Sequence, residues 1–262
     1  ANIINGLCEF DDLKVVVVLY DKNQRDYSID ERAQVVSTKE GSDLKSFVQR
    51  AFSFAKKVVK IKRLKKKLEL DVYLAIMPSM NIFTLLTGGQ EKKVATVHNI
   101  VREKEKPLSR YLDFLLMGFV YKKADKIIAV SQGVKESIMS SYGSSLEVVV
   151  IYNPLEVDEI SKLSKEPLDD DFRPYILGVG RYVHQKGFDF LMSAYAQLNS
   201  KDLNLVLVGD GPERESLMCY ASQLGIAERV FFLGFKENPY KYMANAECFV
   251  LSSRWEGFGL VL

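Results

Sequence analysis

The sequence is poor in the residues that most often announce a function. Its 262 residues hold three cysteines, Cys8, Cys219 and Cys248. They are scattered, each among apolar neighbours, which argues against a disulfide framework or a thiolate metal site and leaves buried core thiols as the reading of all three. There are two histidines, His98 and His184, and no cluster of His, Cys and Asp that suggests a bound metal. Long apolar runs are missing as well. The longest mostly apolar stretch, Phe114 to Tyr121, is far too short to cross a bilayer, and no charged-then-apolar signal segment opens the chain, so the expectation is a cytosolic protein. Neither a Gly-x-Ser-x-Gly elbow nor a Walker loop occurs.

What is present is a globular composition, 47% hydrophobic, in a chain long enough for two cores. Ala1 falls inside the helix-like ANIINGLCEF, and the chain ends at Leu262 within an apolar run; the expectation is a partial chain. Charge is uneven: residues 1–154 hold 25 Lys+Arg against 18 Asp+Glu, a net +7, and residues 155–262 hold 11 against 16, a net −5.

Short β-branched runs alternate with longer segments of helical period. Residues 14–20, 71–77, 93–98, 126–131 and 147–153 are expected strands in the first half, and 175–180, 203–209, 229–234 and 247–252 in the second. This alternation predicts an α/β protein with mostly parallel sheets covered by helices on both faces. A polar, acidic connector after Asn153-Pro154 divides it into two Rossmann-like domains in tandem, 1–154 and 173–262, both incomplete at the chain ends and joined by a linker over 155–172. In such sheets ligands sit beyond the carboxyl ends of the strands, so the residues after each strand are where chemistry is expected.

Three strand ends stand out. In GVGRYVHQKGF, Gly178 and Gly180 close a strand, Arg181 and Lys186 occupy the loop, and Gly187 opens a helix. Glycines admit close approach of a ligand to the backbone, and the two cations suit a phosphate or diphosphate. Solvated loop charges are the plain alternative. The nicotinamide fingerprint fails because Val183 stands where its third glycine is needed. In VGDGPERESL, Gly209 and Gly211 follow the next strand, and Pro212 suits the first position of a helix. At the third, SSRWEGFGLVL, a helix start at Phe258, Gly259 and Leu260 would offer unpaired N–H groups to an anion, with Glu256 as a simple helix cap or as an acceptor for sugar hydroxyls. His98 ends a strand at the carboxyl edge, whereas His184 lies inside a loop.

Residues 56–67, KKVVKIKRLKKK, carry eight cations in twelve positions on an amphipathic helical pattern. A solvated face, contact with an anionic membrane surface, and nucleic acid compete as readings; the last is disfavoured because no aromatic residues are interleaved. The aromatic-rich 108–126 is read as core packing, and Asp169-Asp170-Asp171 as a solvated turn rather than a metal motif.

Taken in order, TVHN (96–99), AVSQGVKESIMSSYG with VVVIYNP (129–154), GVGRYVHQKGFDFLMSAY, LVLVGDGPERESL and VFFLGFKENPYKYMANAECFVLSSRWEGFGLVL resemble the glycosyltransferases of family 4, retaining, nucleotide-sugar-dependent enzymes of the GT-B fold. The resemblance implies transfer of a hexosyl or N-acetylhexosaminyl group from a nucleotide-diphosphate sugar, with UDP as the expected nucleotide, to a glycan or lipid-diphosphate-linked acceptor. It implies retained configuration and no bound metal or other cofactor; the net +7 of the first half and the basic helix at 56–67 add the expectation of a cytoplasmic protein peripheral to the inner face of the membrane, reached through 56–67. It implies a catalytic set of His98, Arg181, Lys186 and Glu256. Donor contacts would come from Gly180, Arg181, Lys186, Gly209, Phe235, Lys236, Glu237, Glu256, Gly257, Phe258, Gly259 and Leu260, with Phe235 to Glu237 as the base-contacting loop. The second acid of the family's Glu-x7-Glu motif would fall two residues past Leu262, and the family's glycine-rich loop ahead of Ala1. A same-fold sugar 2-epimerase and a non-catalytic nucleotide-sugar-binding fragment are the alternatives, and nucleic acid is not an expected partner.

Overall fold

The computed structural model describes residues 2–19, 29–37, 47–76, 78–101, 108–198, 202–259 and 261. The chain forms two compact units. The first comprises residues 1–97, 103–128 and 142–154. It opens with α1 (Asn2–Leu7) and a parallel pair, β1 (Val16–Leu19) with β2 (Gln34–Ser37), where Val17 packs with Cys8 and Ala33. Helix α2 (Phe47–Leu68) then leads into a four-stranded sheet of order β3 (Val72–Ala75), β4 (Lys92–Val97), β5 (Lys126–Ala129), β6 (Val148–Val150), with α3 (Pro78–Leu86) and α4 (Leu108–Tyr121) in the crossovers. On α4, Phe114, Met117, Val120 and Tyr121 are buried, an i, i+3, i+6/i+7 stripe that packs as core.

Helix α2 does not present all its cations to water. Lys65 follows the buried Ile61 by four residues, on the same face, and is itself buried. Its ammonium donates to Glu91 Oε1 at 2.7 Å and to the carbonyls of Thr84 at 3.0 Å and Thr87 at 3.4 Å. Lys62, Arg63, Lys66 and Lys67 are exposed.

The second unit comprises residues 98–102, 129–141 and 155–262. It contains most of α5 (Gln132–Tyr142), then α6 (Val157–Leu163), β7 (Tyr175–Val179), α7 (Phe188–Tyr195), β8 (Asn204–Val208), α8 (Arg214–Gln223), β9 (Val230–Phe232), α9 (Tyr240–Ala244) and β10 (Cys248–Phe249). The strands are parallel in the order β10-β7-β8-β9. Alternation along them serves both faces: Leu205 and Leu207 join Phe188, Leu191, Met192 and Leu217 on one side, while Tyr175, Leu177, Val179, Val206 and Val208 join Tyr242 on the other. A sheet buried on both faces explains why these strands read as continuous apolar runs.

Two expectations are corrected. Cys219 and Cys248 are exposed, and only Cys8 is buried; on α8 the inward residues are Leu217 and Ala221, and a residue two positions after Leu217 is turned about 200° away from it. The stretch 155–172 is not a bare linker: it forms α6, and Leu168 and Phe172 pack against the core. Asp169 is exposed in a bend, as expected of a solvated turn, and it also accepts from Lys241 Nζ at 2.6 Å, Tyr242 Oη at 2.8 Å and Lys236 Nζ at 3.4 Å. The Lys241 hydrogen bond, then that of Tyr242, holds its carboxyl down at about 2.

Candidate active site

The strand order of the second unit fixes where a ligand belongs. From β7 the chain steps through β8 to β9, then returns to place β10 on the other side of β7. That reversal is a topological switch point, and the crevice beyond the carboxyl ends of β7 and β10 is where open α/β sheets bind ligands. The two loops that follow these strands, 180–187 and 250–257, meet there.

They are stitched together. Arg254 N–H donates to the Gln185 carbonyl at 2.7 Å, Ser252 Oγ to the Lys186 carbonyl at 2.9 Å, and Gln185 Nε2 to the Trp255 carbonyl at 3.0 Å. The Arg254 guanidinium forks onto both oxygens of Asp189 at 2.8 and 2.5 Å, donates to the His184 carbonyl at 2.8 Å, and lies 3.9 Å from the Phe190 ring centroid. A planar, five-donor cation is the side chain suited to these three partners at once. The Arg254 hydrogen bonds hold the Asp189 carboxyl below the ordinary carboxylate range.

The stitching brings together Lys186 and Glu256, 70 residues apart in sequence, with Nζ to Oε1 at 2.6 Å. Ser253 Oγ donates to the same carboxylate oxygen at 2.6 Å. Glycines make the meeting possible. A Cβ on Gly180 would lie 3.2 Å from the Lys186 stem, and one on Gly187, whose φ is +62°, would lie 2.3 Å from the Ser252 carbonyl oxygen. Gly209 packs end to end with Gly180: a Cβ there would lie 1.9 Å from the Gly180 oxygen. Arg181 is exposed beside them, and its side chain has no hydrogen-bond or ion-pair partner among the described residues.

His98 directly follows β4 and belongs to this unit. The backbone there lies against Gly257, where a Cβ would fall 1.8 Å from the His98 carbonyl oxygen. The Gly257 carbonyl accepts from Ser131 Oγ at 2.6 Å, and the same hydroxyl accepts from Val134 N–H at 3.2 Å at the start of α5. Burial pushes the His98 imidazole below its usual value, which favours the neutral ring at neutral pH.

Other expected positions fall elsewhere. Phe235, Lys236 and Glu237 follow β9, two strands from β7; Phe235 and Glu237 are exposed and Lys236 reaches Asp169. Phe258 and Gly259 lie in irregular backbone, not in a first helical turn. Leu260 lies outside the described residues. His184 is exposed, its ring 6.0 Å from that of Trp255. Among the described residues no group of three or more His, Cys, Asp or Glu converges as metal ligands. Arg254, Asp189 and Ser131 were not singled out from sequence: Arg254 and Asp189 look like ordinary surface charges, and Ser131 like a helix cap.

Comparison with known proteins bears on this site. The sequence profile described as Glycosyltransferase Family 4 matches residues 3–159, and that described as Glycosyl transferases group 1 matches residues 159–262. The N-acetylgalactosamine-N,N'-diacetylbacillosaminyl-diphospho-undecaprenol 4-alpha-N-acetylgalactosaminyltransferase of Campylobacter jejuni is 32% identical over 78% of this chain and 57% of its own length. The lipopolysaccharide core biosynthesis glycosyltransferase LpsE of Rhizobium meliloti is 31% identical over 59% of this chain and 45% of its own. The chain thus spans about half the length of the curated relatives it matches. Among solved structures, Anabaena HepE in complex with UDP superposes with a TM-score of 0.68 at 20% identity, over 95% of this chain and 77% of that one. Sucrose-phosphate synthase from Thermosynechococcus elongatus gives 0.78 at 18%, over 99% and 70%. These likenesses identify the fold as GT-B.

Proposed function

The chain belongs to glycosyltransferase family 4, and from that membership we propose that the protein transfers a hexosyl or N-acetylhexosaminyl group from a UDP-sugar to a lipid-linked or other glycan acceptor, with retention of configuration. The observation that carries the reading is the meeting of Lys186 with Glu256 at the switch point. A cation and a carboxylate side by side match the two ends of a sugar diphosphate. Lys186 and Arg181 face the negative charge that grows on the diphosphate as the glycosidic bond breaks, and Glu256 accepts hydrogen bonds from sugar hydroxyls. The main-chain N–H groups of Phe258 and Gly259 add to the phosphate contacts, and Phe235 to Glu237 to those of the base. The leaving phosphate takes the acceptor hydroxyl's proton, with His98 beside the transferred sugar. Charge neutralisation comes from side chains and backbone, so turnover is expected to persist in a chelator.

The acceptor side rests on the relatives, whose names describe a diphospho-undecaprenol substrate and lipopolysaccharide core synthesis. No helix among the described residues is long and apolar enough to cross a membrane. The exposed Lys62, Arg63, Lys66 and Lys67 of α2 supply positive charge for an anionic cytoplasmic leaflet.

The test is a donor screen on the full-length protein. UDP- and GDP-sugars are incubated with membrane lipid extract, following nucleotide release and label entering the lipid phase. Label that is lost in Lys186→Ala and in Glu256→Ala supports the assignment. Turnover of donor alone into an epimer, or no turnover by a folded protein, overturns it. Failure to bind anionic vesicles at low salt removes the membrane part alone.

A further inference from the structure

Lys186 and Glu256 serve opposite ends of one donor in the reading above, the diphosphate and the sugar, yet they are bonded to each other. We infer that Glu256 is an internal competitor for Lys186, and that this competition makes the site favour a nucleoside-diphosphate sugar over the bare nucleoside diphosphate. The inference rests on the donor-site reading just given.

The pair is short and well shielded: Nζ and Oε1 are 2.6 Å apart and the side chains are 19% and 21% exposed. A phosphate that reaches Lys186 therefore exchanges one anion for another instead of neutralising a free cation. For an intact donor the exchange is compensated, because the displaced carboxylate accepts from sugar hydroxyls. The bare diphosphate carries no such hydroxyls beside Glu256, so it leaves two anions crowding one ammonium. Once the sugar has been transferred, the carboxylate returns to Lys186 and loosens the hold on the nucleotide product. Ser253 Oγ, 2.6 Å from the same carboxylate oxygen, keeps Glu256 aimed at the crevice. Arg181 stands outside the competition, so the phosphates keep one cation throughout.

A double-mutant cycle separates competition from simple charge repulsion. Binding of UDP and, in parallel, of GDP is measured by calorimetry on full-length wild type, Glu256→Gln, Lys186→Met and the double variant. Glu256→Ala is included in case the amide of Gln bonds Lys186 in the carboxylate's place. Thermal midpoints establish that each variant is folded. Removing the carboxylate is expected to tighten nucleoside-diphosphate binding about threefold to tenfold, to lower the Ki of the nucleotide product, and to abolish sugar transfer. In the Lys186→Met background the tightening is expected to vanish. Tightening that persists there at full size, or no tightening in either Glu256 variant, overturns the competition while leaving the donor site intact. If wild type binds neither nucleotide, or Lys186→Met binds as well as wild type, the donor-site reading itself falls and the inference with it.

Discussion

Among the described residues, two lysine–glutamate pairs are shorter than 3.0 Å, and they differ in what surrounds them. Lys65–Glu91 in the first unit is 2.7 Å long with side chains 5% and 6% exposed, and its ammonium also serves two backbone carbonyls and lies 4.7 Å from the Tyr73 ring centroid. Lys186–Glu256 in the second unit is 2.6 Å long and 19% and 21% exposed, and its ammonium makes no other hydrogen bond among the described residues. The first pair is saturated: the ammonium has three protein acceptors, and both side chains are shielded from solvent. The second faces a crevice walled by glycines and leaves donor capacity unspent. Pair geometry does not distinguish a structural ion pair from a binding one; the number of competing protein partners and the access to solvent do.

The largest effects should come from breaking the saturated pair. Lys65→Met leaves Glu91 buried without its cation and is expected to cost about 3–5 kcal/mol in denaturant unfolding. Lys186→Met is expected to change stability by less than about 1 kcal/mol while lowering transfer by about 100-fold or more. Equal stability losses in the two variants would erase the distinction.

Acid sharpens the same contrast. Burial by itself raises the Glu91 pKa, but the Lys65 hydrogen bond, a backbone hydrogen bond and the charges of Lys65 and Lys93 together outweigh it and hold the group below the ordinary 4.5. A carboxyl depressed in the folded state contributes stability that is present above that value and is lost as pH falls through the folded one. Wild type should therefore lose stability on acidification below 4.5, and Lys65→Met should show a shallower acid limb over the same range, both read as unfolding free energy against pH.

Two smaller effects test how the open pair is held. Arg254→Lys loses the fork onto Asp189 and the stack on Phe190, and kcat/KM should fall about tenfold with stability nearly unchanged. Ser131→Ala removes the bond to the Gly257 carbonyl and one cap of α5, lowering kcat/KM about threefold to tenfold, with Ser131→Thr restoring much of the loss.

The same comparison marks what could be read from sequence. Of the ten strands among the described residues, nine are legible as short β-branched or apolar runs, continuous in β7 and β8 because that sheet is buried on both faces; β2 is not, because Gln34–Ser37 offers only Val35 and Val36 between polar residues. Lys186 and Glu256 were legible because each follows a strand beside glycines. Lys65 was hidden in a run of eight cations, where only the three-dimensional facing of α2 separates the one inward residue from its neighbours. Arg254 and Asp189 were illegible for a related reason: their meaning lies in a pairing across 65 residues, and neither flanking segment announces the other.

The strand order also has a consequence for how the protein is made. Residues are added in sequence, so β7, β8 and β9 can pair while the chain is still being synthesised, since each lies beside its predecessor. Strand β10 is the latest of the four to emerge, yet it docks beside the earliest, β7. The crevice, and with it the contact between Lys186 and Glu256, therefore cannot exist until residue 256 has left the ribosome, although most of the unit's core is already available to fold. A nascent chain stalled before β10 would have a largely packed second unit whose nucleotide crevice has not yet been built.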